Sequence, residues 1–405
     1  MKTVVILGGS YGGVSTAHRI LKQAAKVSSP VKIILVSPNT HLYWNIAATR
    51  ALLPGQIADE KIFQAIAPGF KQYPADRFEF IIGSAEGVDV ATKKVTVSGA
   101  TGNSELSYDI LILATGSNAK EDIPLKGKGS TEATKESLHV FQNKVKQAKT
   151  IYVVGAGPTG VEVAGELGFE YGKTKKITLV IMQRLLEHIA SGAQILEGTP
   201  ASVTKTATKQ LLGLNVTIKA STKVSGSAKM PDGRTELTLS SGEKVVTDLY
   251  LPTVGLVPNS SYLPSSLVNS FGFVQVDEFL KVKGAKDVWA VGGEITHILP
   301  TPDSGTFREI CSVLKHASAP SEEAQYVNTE KQSIHVAKNI GLVLKGAQPV
   351  KYKVDEKDML AVPVGRKAGT GHMGSMKLPS FMVNMVKGKT LFMDKLSPLV
   401  SGSAF

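Results

Sequence analysis

The feature that most constrains this chain is a plan used twice. An apolar strand, a glycine-rich turn and a helix with a small-residue face occupy Thr3–Lys26 and return at Ile151–Leu167. In the second copy the strand Ile151–Val154 runs into Gly155, Gly157 and Gly160, three glycines in G-x-G-x-x-G spacing, and a strand over Lys176–Met182 completes a βαβ unit. In the first copy Gly8 and Gly13 keep the frame, but Ser10 replaces the middle glycine. Such a turn suits a dinucleotide. Its pyrophosphate sits over the helix N-terminus, where free N–H groups and the dipole favour an anion, and small residues let the backbone come close.

A second pairing supports two sites. The strand Tyr108–Ser117 ends in Ala114-Thr115-Gly116, and Asp248–Asn259 carries Thr253-Val254-Gly255 at the matching place. Each half therefore has a glycine-turn strand and a late strand with a small terminus. The expected fold class is α/β, with two Rossmann-like dinucleotide-binding domains, the second inserted in the first, and a small C-terminal α+β region. The boundaries fall at 1–118 with 256–345, 119–255 and 346–405.

At 405 residues the chain has room for two or three cores. No window approaches eighteen consecutive apolar residues, so no transmembrane helix is expected. A first strand beginning at Thr3 leaves no room for a cleaved targeting segment ahead of it. The expected location is cytoplasmic, either free or peripheral on a membrane. Cys311 is the sole cysteine, which excludes an internal disulfide, a C-x-x-C redox pair and a cysteine-rich zinc site. No metal site is expected. Redox chemistry would have to run through a cofactor without a dithiol relay. The formal charge of +12 suits anionic dinucleotides, a membrane surface or nucleic acid. The lysines are dispersed and no nucleic-acid motif accompanies them, so no specific nucleic-acid partner is expected.

Along the chain, Val31–Ser37 reads as the second strand, ending in Ser37 where a ribose-binding carboxylate is usual. His41–Arg50 reads either as a hydrophobic loop or as a wall of the first cofactor site, with Arg50 near phosphate or flavin. Phe78–Gly87 and Lys94–Ser98 read as hairpin strands, with Gly99–Asn103 as the turn. A helix is expected within Glu136–Lys149, short strands over Gly213–Lys223, Thr235–Leu239 and Glu243–Thr247, and another helix over Thr329–Leu344. Met182-Gln183-Arg184 follows the second domain's strand with no carboxylate. Arg184 is either a partner for the 2′-phosphate of NADP or a solvated residue. The stretch 296–330 is polar and irregular. The Met-rich run Leu378–Val386, flanked by Lys377, Lys387, Lys389 and Lys395, reads as a core or dimer-interface element, or as a face for lipid or quinone.

These residues carry a resemblance. GGSYGG, HLYWNIAATRALLP, YDILILATGS, VVGAGPTGVEVAGELGFEYG, LYLPTVGLVPN, DVWAVGG and the tail VPVGRKAGTG with SFMVNMVKGKTLF resemble the two-dinucleotide flavoprotein oxidoreductases, specifically the apoptosis-inducing-factor-like branch that includes ferroptosis suppressor protein and fungal members. The resemblance covers nearly the whole length. It implies FAD in the first domain and NAD(P)H in the inserted one. Hydride then passes to the flavin and electrons to a quinone or similar small acceptor. Carried over by motif, Gly8, Ser10, Gly12, Gly13, Ser37, Arg50, Thr115 and Gly116 would hold FAD, with Gly292, Gly293 and Glu294 at the flavin end. Gly155, Gly157, Thr159, Gly160, Arg184 and Gly255 would hold NAD(P)H. Glu162, Lys387 and Phe392 would be catalytic.

The chain departs from that pattern where the last FAD strand should end in Gly-Asp. It has Gly292-Gly293 there, with Glu294 one position late. Three readings follow: an FAD-dependent NAD(P)H oxidoreductase; a member repurposed for a different small-molecule step, redox or non-redox, as in secondary metabolism, with an altered or empty flavin pocket; and a nucleotide-sensing or DNA-associated protein. The expected partner is a small-molecule electron acceptor or metabolite. The C-terminal region is the candidate for peripheral membrane contact, and the chain is expected as a monomer or homodimer.

Overall fold

The computed structural model of the protein describes residues 1–26, 30–181, 194–220, 222–293, 295–297, 326–353 and 359–405. The chain opens with β1 (Lys2–Leu7), whose last four residues are buried, then α1 (Tyr11–Lys26) and β2 (Val31–Ser37). After a short helix α2 (Ala48–Ala51) come β3 (Phe78–Asp89), β4 (Lys94–Gly99), β5 (Gly102–Ser107) and β6 (Ile110–Leu113). Helix α3 (Thr131–Gln147) starts at an Ser130 cap whose hydroxyl accepts from Ala133 N at 3.0 Å.

The second unit runs β7 (Thr150–Val154), α4 (Pro158–Tyr171), β8 (Lys176–Val180), α5 (Ala201–Gly213), β9 (Val216–Lys219), β10 (Val224–Lys229), β11 (Thr235–Leu239), β12 (Lys244–Thr247) and β13 (Leu249–Pro252). The chain then returns through β14 (Val288–Ala290) and α6 (Tyr326–Leu344). It closes with β15 (Met359–Val364), β16 (Ala368–Met373), β17 (Met376–Lys377), α7 (Ser380–Val383), a π-helical turn over Asn384–Gly388 and α8 (Leu396–Ser401).

The first sheet has the order β14-β6-β1-β2-β3-β4-β5, parallel from β14 to β3 and antiparallel beyond. The second has the order β9-β8-β7-β13 and is parallel throughout. In each, the strand before the glycine turn is central, flanked by the next strand and by the late small-ended one. Both faces of such a strand are covered, which explains the continuous apolar runs. The duplication holds to single hydrogen bonds. Thr3 N donates to Asp109 Oδ2 and Thr150 N to Asp248 Oδ2, both at 2.8 Å, so one aspartate pins the start of each central strand.

Some elements differ from the sequence reading. Gly99–Asn103 is not the end of a two-stranded hairpin, because β5 follows at Gly102; its polar, solvent-facing residues hid it from hydrophobic periodicity. Val224–Lys229 is a further strand, and its exposed, polar residues carry no hydrophobic alternation that would mark it in the sequence. The run 213–223 is a helix end followed by four residues of strand, and 326–330 opens α6 instead of prolonging an irregular stretch. Most of 296–330, including Cys311, lies outside the described residues.

Candidate active site at the junction of two nucleotide cradles

The second cradle separates two kinds of glycine. Gly155 N donates to Val180 O at 3.0 Å and Thr253 N to Val154 O at 2.8 Å, so the turn lies between two parallel strand ends. A Cβ on Gly160 would lie 1.8 Å from Gly155 O, and one on Gly155, at φ +112°, would lie 2.5 Å from Val254 Cγ1. The protein's own packing requires both. Gly157 is another matter: it is exposed, caps α4 at φ −71°, and a Cβ there meets nothing within 4 Å. The open space above it fits a pyrophosphate at a helix N-terminus. Thr159 is exposed one residue into the same helix, and Gly255 is exposed at φ +80° beside the Lys120 side chain.

The first cradle repeats this geometry. Gly8 N donates to Val36 O and Ala114 N to Leu7 O, both at 2.8 Å, and a Cβ on Gly13 would lie 1.9 Å from Gly8 O. Ser10 occupies the position of Gly157. It is exposed, and its carbonyl accepts from Val14 N as Gly157 O accepts from Val161 N, each at 3.0 Å. A small hydroxylated side chain at that mouth is compatible with a dinucleotide. Gly116, at φ +68°, also leaves open space.

Several residues expected to face FAD have other partners. Ser37 is buried, its hydroxyl accepting from Asn39 N at 3.1 Å and lying against Gly9. Thr115 Oγ1 donates to Asn259 O at 2.7 Å. Gly12 lets α6 approach α1: Thr329 Cγ2 would be 3.1 Å from its Cβ, and Ser333 Oγ donates to its carbonyl. Gly292, at φ +103°, donates its N–H to Gln332 Oε1 at 2.8 Å, with Gly293 half-buried beside it. Arg50, expected beside phosphate or flavin, is instead buried on Glu166, with Nη2 2.7 Å and Nε 2.9 Å from Oε1. Arg184 and Glu294 lie outside the described residues.

The structure brings two of the three expected catalytic residues together. Lys387 Nζ lies 2.6 Å from Glu162 Oε1 and also donates to Ala361 O at 3.2 Å. Thr49 Oγ1 donates to Glu162 Oε2 at 3.4 Å. Glu162 is on the first turns of α4, so the helix that opens at Gly157 also carries this carboxylate. Burial pushes the Glu162 carboxyl above the usual carboxylate range, and the opposing pull of Lys387 only partly offsets it. Phe392 sits close by in sequence in a left-handed conformation at φ 57°, following Leu391 at φ 51°. Leu391 O accepts from Trp44 Nε1 at 2.9 Å, which helps hold this bent segment.

Sequence reasoning did not find Glu166, Arg366, Gln332 or the paired aspartates. The signal for Glu166 was present, since a carboxylate in an Ala/Gly-faced helix one turn beyond Glu162 demands a buried cation. Tyr11, Trp44 and Tyr326 form edge-on aromatic contacts with ring centroids 5.2 to 6.2 Å apart, linking the starts of α1 and α6.

Comparison with known proteins agrees with this architecture. The family model of pyridine nucleotide-disulphide oxidoreductases matches residues 2–310. Oxidoreductase ptaL of Pestalotiopsis fici is 48% identical over 404 residues, covering 100% of both chains. Ferroptosis suppressor protein 1 of Homo sapiens is 28% identical over 403 residues, covering 96% of this chain and 94% of that one. Among solved structures, the sulfide:quinone oxidoreductase of Aquifex aeolicus superposes with TM-score 0.72 at 18% identity, covering 99% of this chain and 92% of that one. NDH2 of Plasmodium falciparum in complex with NADH also gives TM-score 0.72, at 14% identity over 99% of this chain and 96% of that one. The chain belongs to the pyridine nucleotide-disulphide oxidoreductase family and is a flavin-dependent NAD(P)H oxidoreductase, with FAD and NAD(P)H as its cofactors.

Proposed function

We propose that the chain moves reducing equivalents from NAD(P)H, held over Gly157, through FAD, held over Ser10, to an apolar small-molecule acceptor of quinone type. FAD, when bound, supplies the hydride-accepting and electron-donating chemistry. The residues of this chain bind, orient and exclude water. Gly157 and the N–H groups of α4 receive the nicotinamide cofactor's pyrophosphate. Glu162 and Lys387 hold a fixed pair of charges at the meeting of α4, α2 and the C-terminal segment, which orients what binds there.

The observation that carries this reading is the Glu162–Lys387 pair on a segment with two faces. Lys387 points inward, whereas Phe381, Met385 and Val386 are 69%, 64% and 51% exposed. An apolar acceptor, and an anionic bilayer surface attracted by the exposed Lys377, Lys389 and Lys395, suit that outer face. The test is anaerobic titration of the purified protein with NADH and, separately, NADPH, followed by addition of menadione. Bleaching of the flavin band and its recovery on menadione are expected. A flavin that stays oxidised with both nucleotides overturns the proposal.

A further inference from the structure

Arg50 does more than neutralise a buried acid. Its guanidinium bonds to Glu166 Oε1 through two nitrogens, and the remaining donors reach Gly388 O at 2.7 Å and Lys389 O at 3.3 Å. Those carbonyls follow Lys387 directly, and Glu166 lies four residues, one helical turn, beyond Glu162 on α4. Arg50 therefore grips the same two elements that carry the ion pair, from a third element, α2. The pair and its clamp sit one turn apart. Arg366, whose Nε is 3.5 Å from Glu166 Oε2, braces the carboxylate from the other side and extends to Glu170 at 3.1 Å. Arg50 and Glu166 are nearly inaccessible, at 7% and 2% side-chain exposure. A planar guanidinium spreads its donors over three nitrogens in a rigid fork and so reaches one carboxylate and two diverging carbonyls at once, whereas a lysine ammonium gathers its three donors on a single atom.

We infer that Arg50 is a positioning residue for the reduction step: by joining Glu166 of α4 to the carbonyls of Gly388 and Lys389, it sets the distance between Glu162 and Lys387. This rests on the functional reading above, in which that pair orients the nicotinamide cofactor. It removes Arg50 from the flavin's own ligands.

The experiment compares wild type, Arg50→Lys, Lys387→Met and the double variant, each purified with FAD. The readouts are flavin content, the rate of anaerobic flavin bleaching by NADH, and that rate's pH profile. Arg50→Lys keeps the buried charge, and near-ultraviolet circular dichroism confirms its fold. Glu166→Gln cuts the clamp from the opposite side and serves as the second variant. The expected result is full flavin content in Arg50→Lys and Glu166→Gln, with bleaching about a hundredfold slower. In Arg50→Lys the acid limb should move to higher pH, as in Lys387→Met, whereas Glu166→Gln, which also removes a neighbouring negative charge that raises the Glu162 carboxyl, is read by rate and flavin content alone. The Arg50→Lys/Lys387→Met double variant should be no slower than Lys387→Met alone.

Loss of flavin from Arg50→Lys, an unmoved pH profile, or penalties that multiply in the double variant would each overturn the positioning role while leaving the pair's function standing. A Lys387→Met variant as fast as wild type would overturn the functional reading and the role of Arg50 with it.

Discussion

Lys387 Nζ and Glu162 Oε1 lie 2.6 Å apart across 225 positions of sequence, one on a π-helical turn and the other on the helix of the second nucleotide cradle. A π-turn in so short a helix is uncommon and recurs at functional sites. Here it directs Lys387 inward while Met385 and Val386 remain exposed.

Removing Lys387 leaves a buried carboxylate without its opposing charge. Glu162 already holds its proton above the usual carboxylate range because of burial. The charged pair is present above that raised value and lost as pH falls through it. Lys387→Met should therefore shift the acid limb of flavin reduction to higher pH and slow the step about a hundredfold. Stopped-flow bleaching across a pH series checks this, and an unmoved limb would contradict it.

Gly157→Val should abolish NAD(P)H binding with little effect on the fold. The protein leaves the position empty, so the side chain meets only the ligand's space. The loss of helix-cap preference costs about 1 kcal/mol. Gly160→Ala, in contrast, should destabilise the protein markedly, because its Cβ would lie 1.8 Å from Gly155 O. Thermal melts and NADH titration separate the two effects.

Restoring a carboxylate at the end of β14 should tighten flavin binding. Gly293→Asp offers one charge-assisted hydrogen bond, about 1.5–3 kcal/mol or roughly tenfold to hundredfold in affinity. Flavin retention through gel filtration reads the gain. No change would mean that the carboxylate does not reach the flavin.

Stability should fall in mild acid through His18. Its ring is buried between Tyr73 OH and Val400 O, each 2.9 Å away, and burial, reinforced by Lys22, lowers its pKa from 6.5 to about 4 despite the Val400 bond. The unfolded chain takes up the proton first. This contribution is complete above about pH 6.5 and is lost towards pH 4, amounting to about 3 kcal/mol. Urea unfolding of wild type and His18→Gln at pH 7.5 and pH 4.5 measures it. Equal pH dependence in the two proteins would refute it.

Phe381→Glu combined with Met385→Glu should leave stability within about 0.5 kcal/mol, since both side chains face solvent. It should raise KM for menadione about tenfold while sparing ferricyanide, which is hydrophilic. Equal KM values for menadione would remove the apolar face from acceptor binding.

Much of the fold was readable because its signals are local. Leu7–Gly8, Val154–Gly155 and the small ends at Ala114 and Thr253 recur in order, and a buried parallel strand followed by a glycine turn is recognisable in one sequence. Polar edge strands such as Gly102–Ser107 left no such trace, since their pairing comes from backbone hydrogen bonds alone. Hydroxyls and small residues have roles in the fold that one sequence does not show. Ser37, Thr115 and Gly12 stand where ligand contacts are usual, and each also meets a residue of the chain itself: Asn39, Asn259 and Thr329.

The sequence by itself determined that two strand-turn-helix cradles would form, because glycine spacing and strand hydrophobicity act over a few residues. Only the tertiary structure decided where the charges went. Arg50 was free, on sequence grounds, to meet a phosphate. It meets Glu166 because α2 and α4 pack together and a buried carboxylate cannot stay unpaired at that cost.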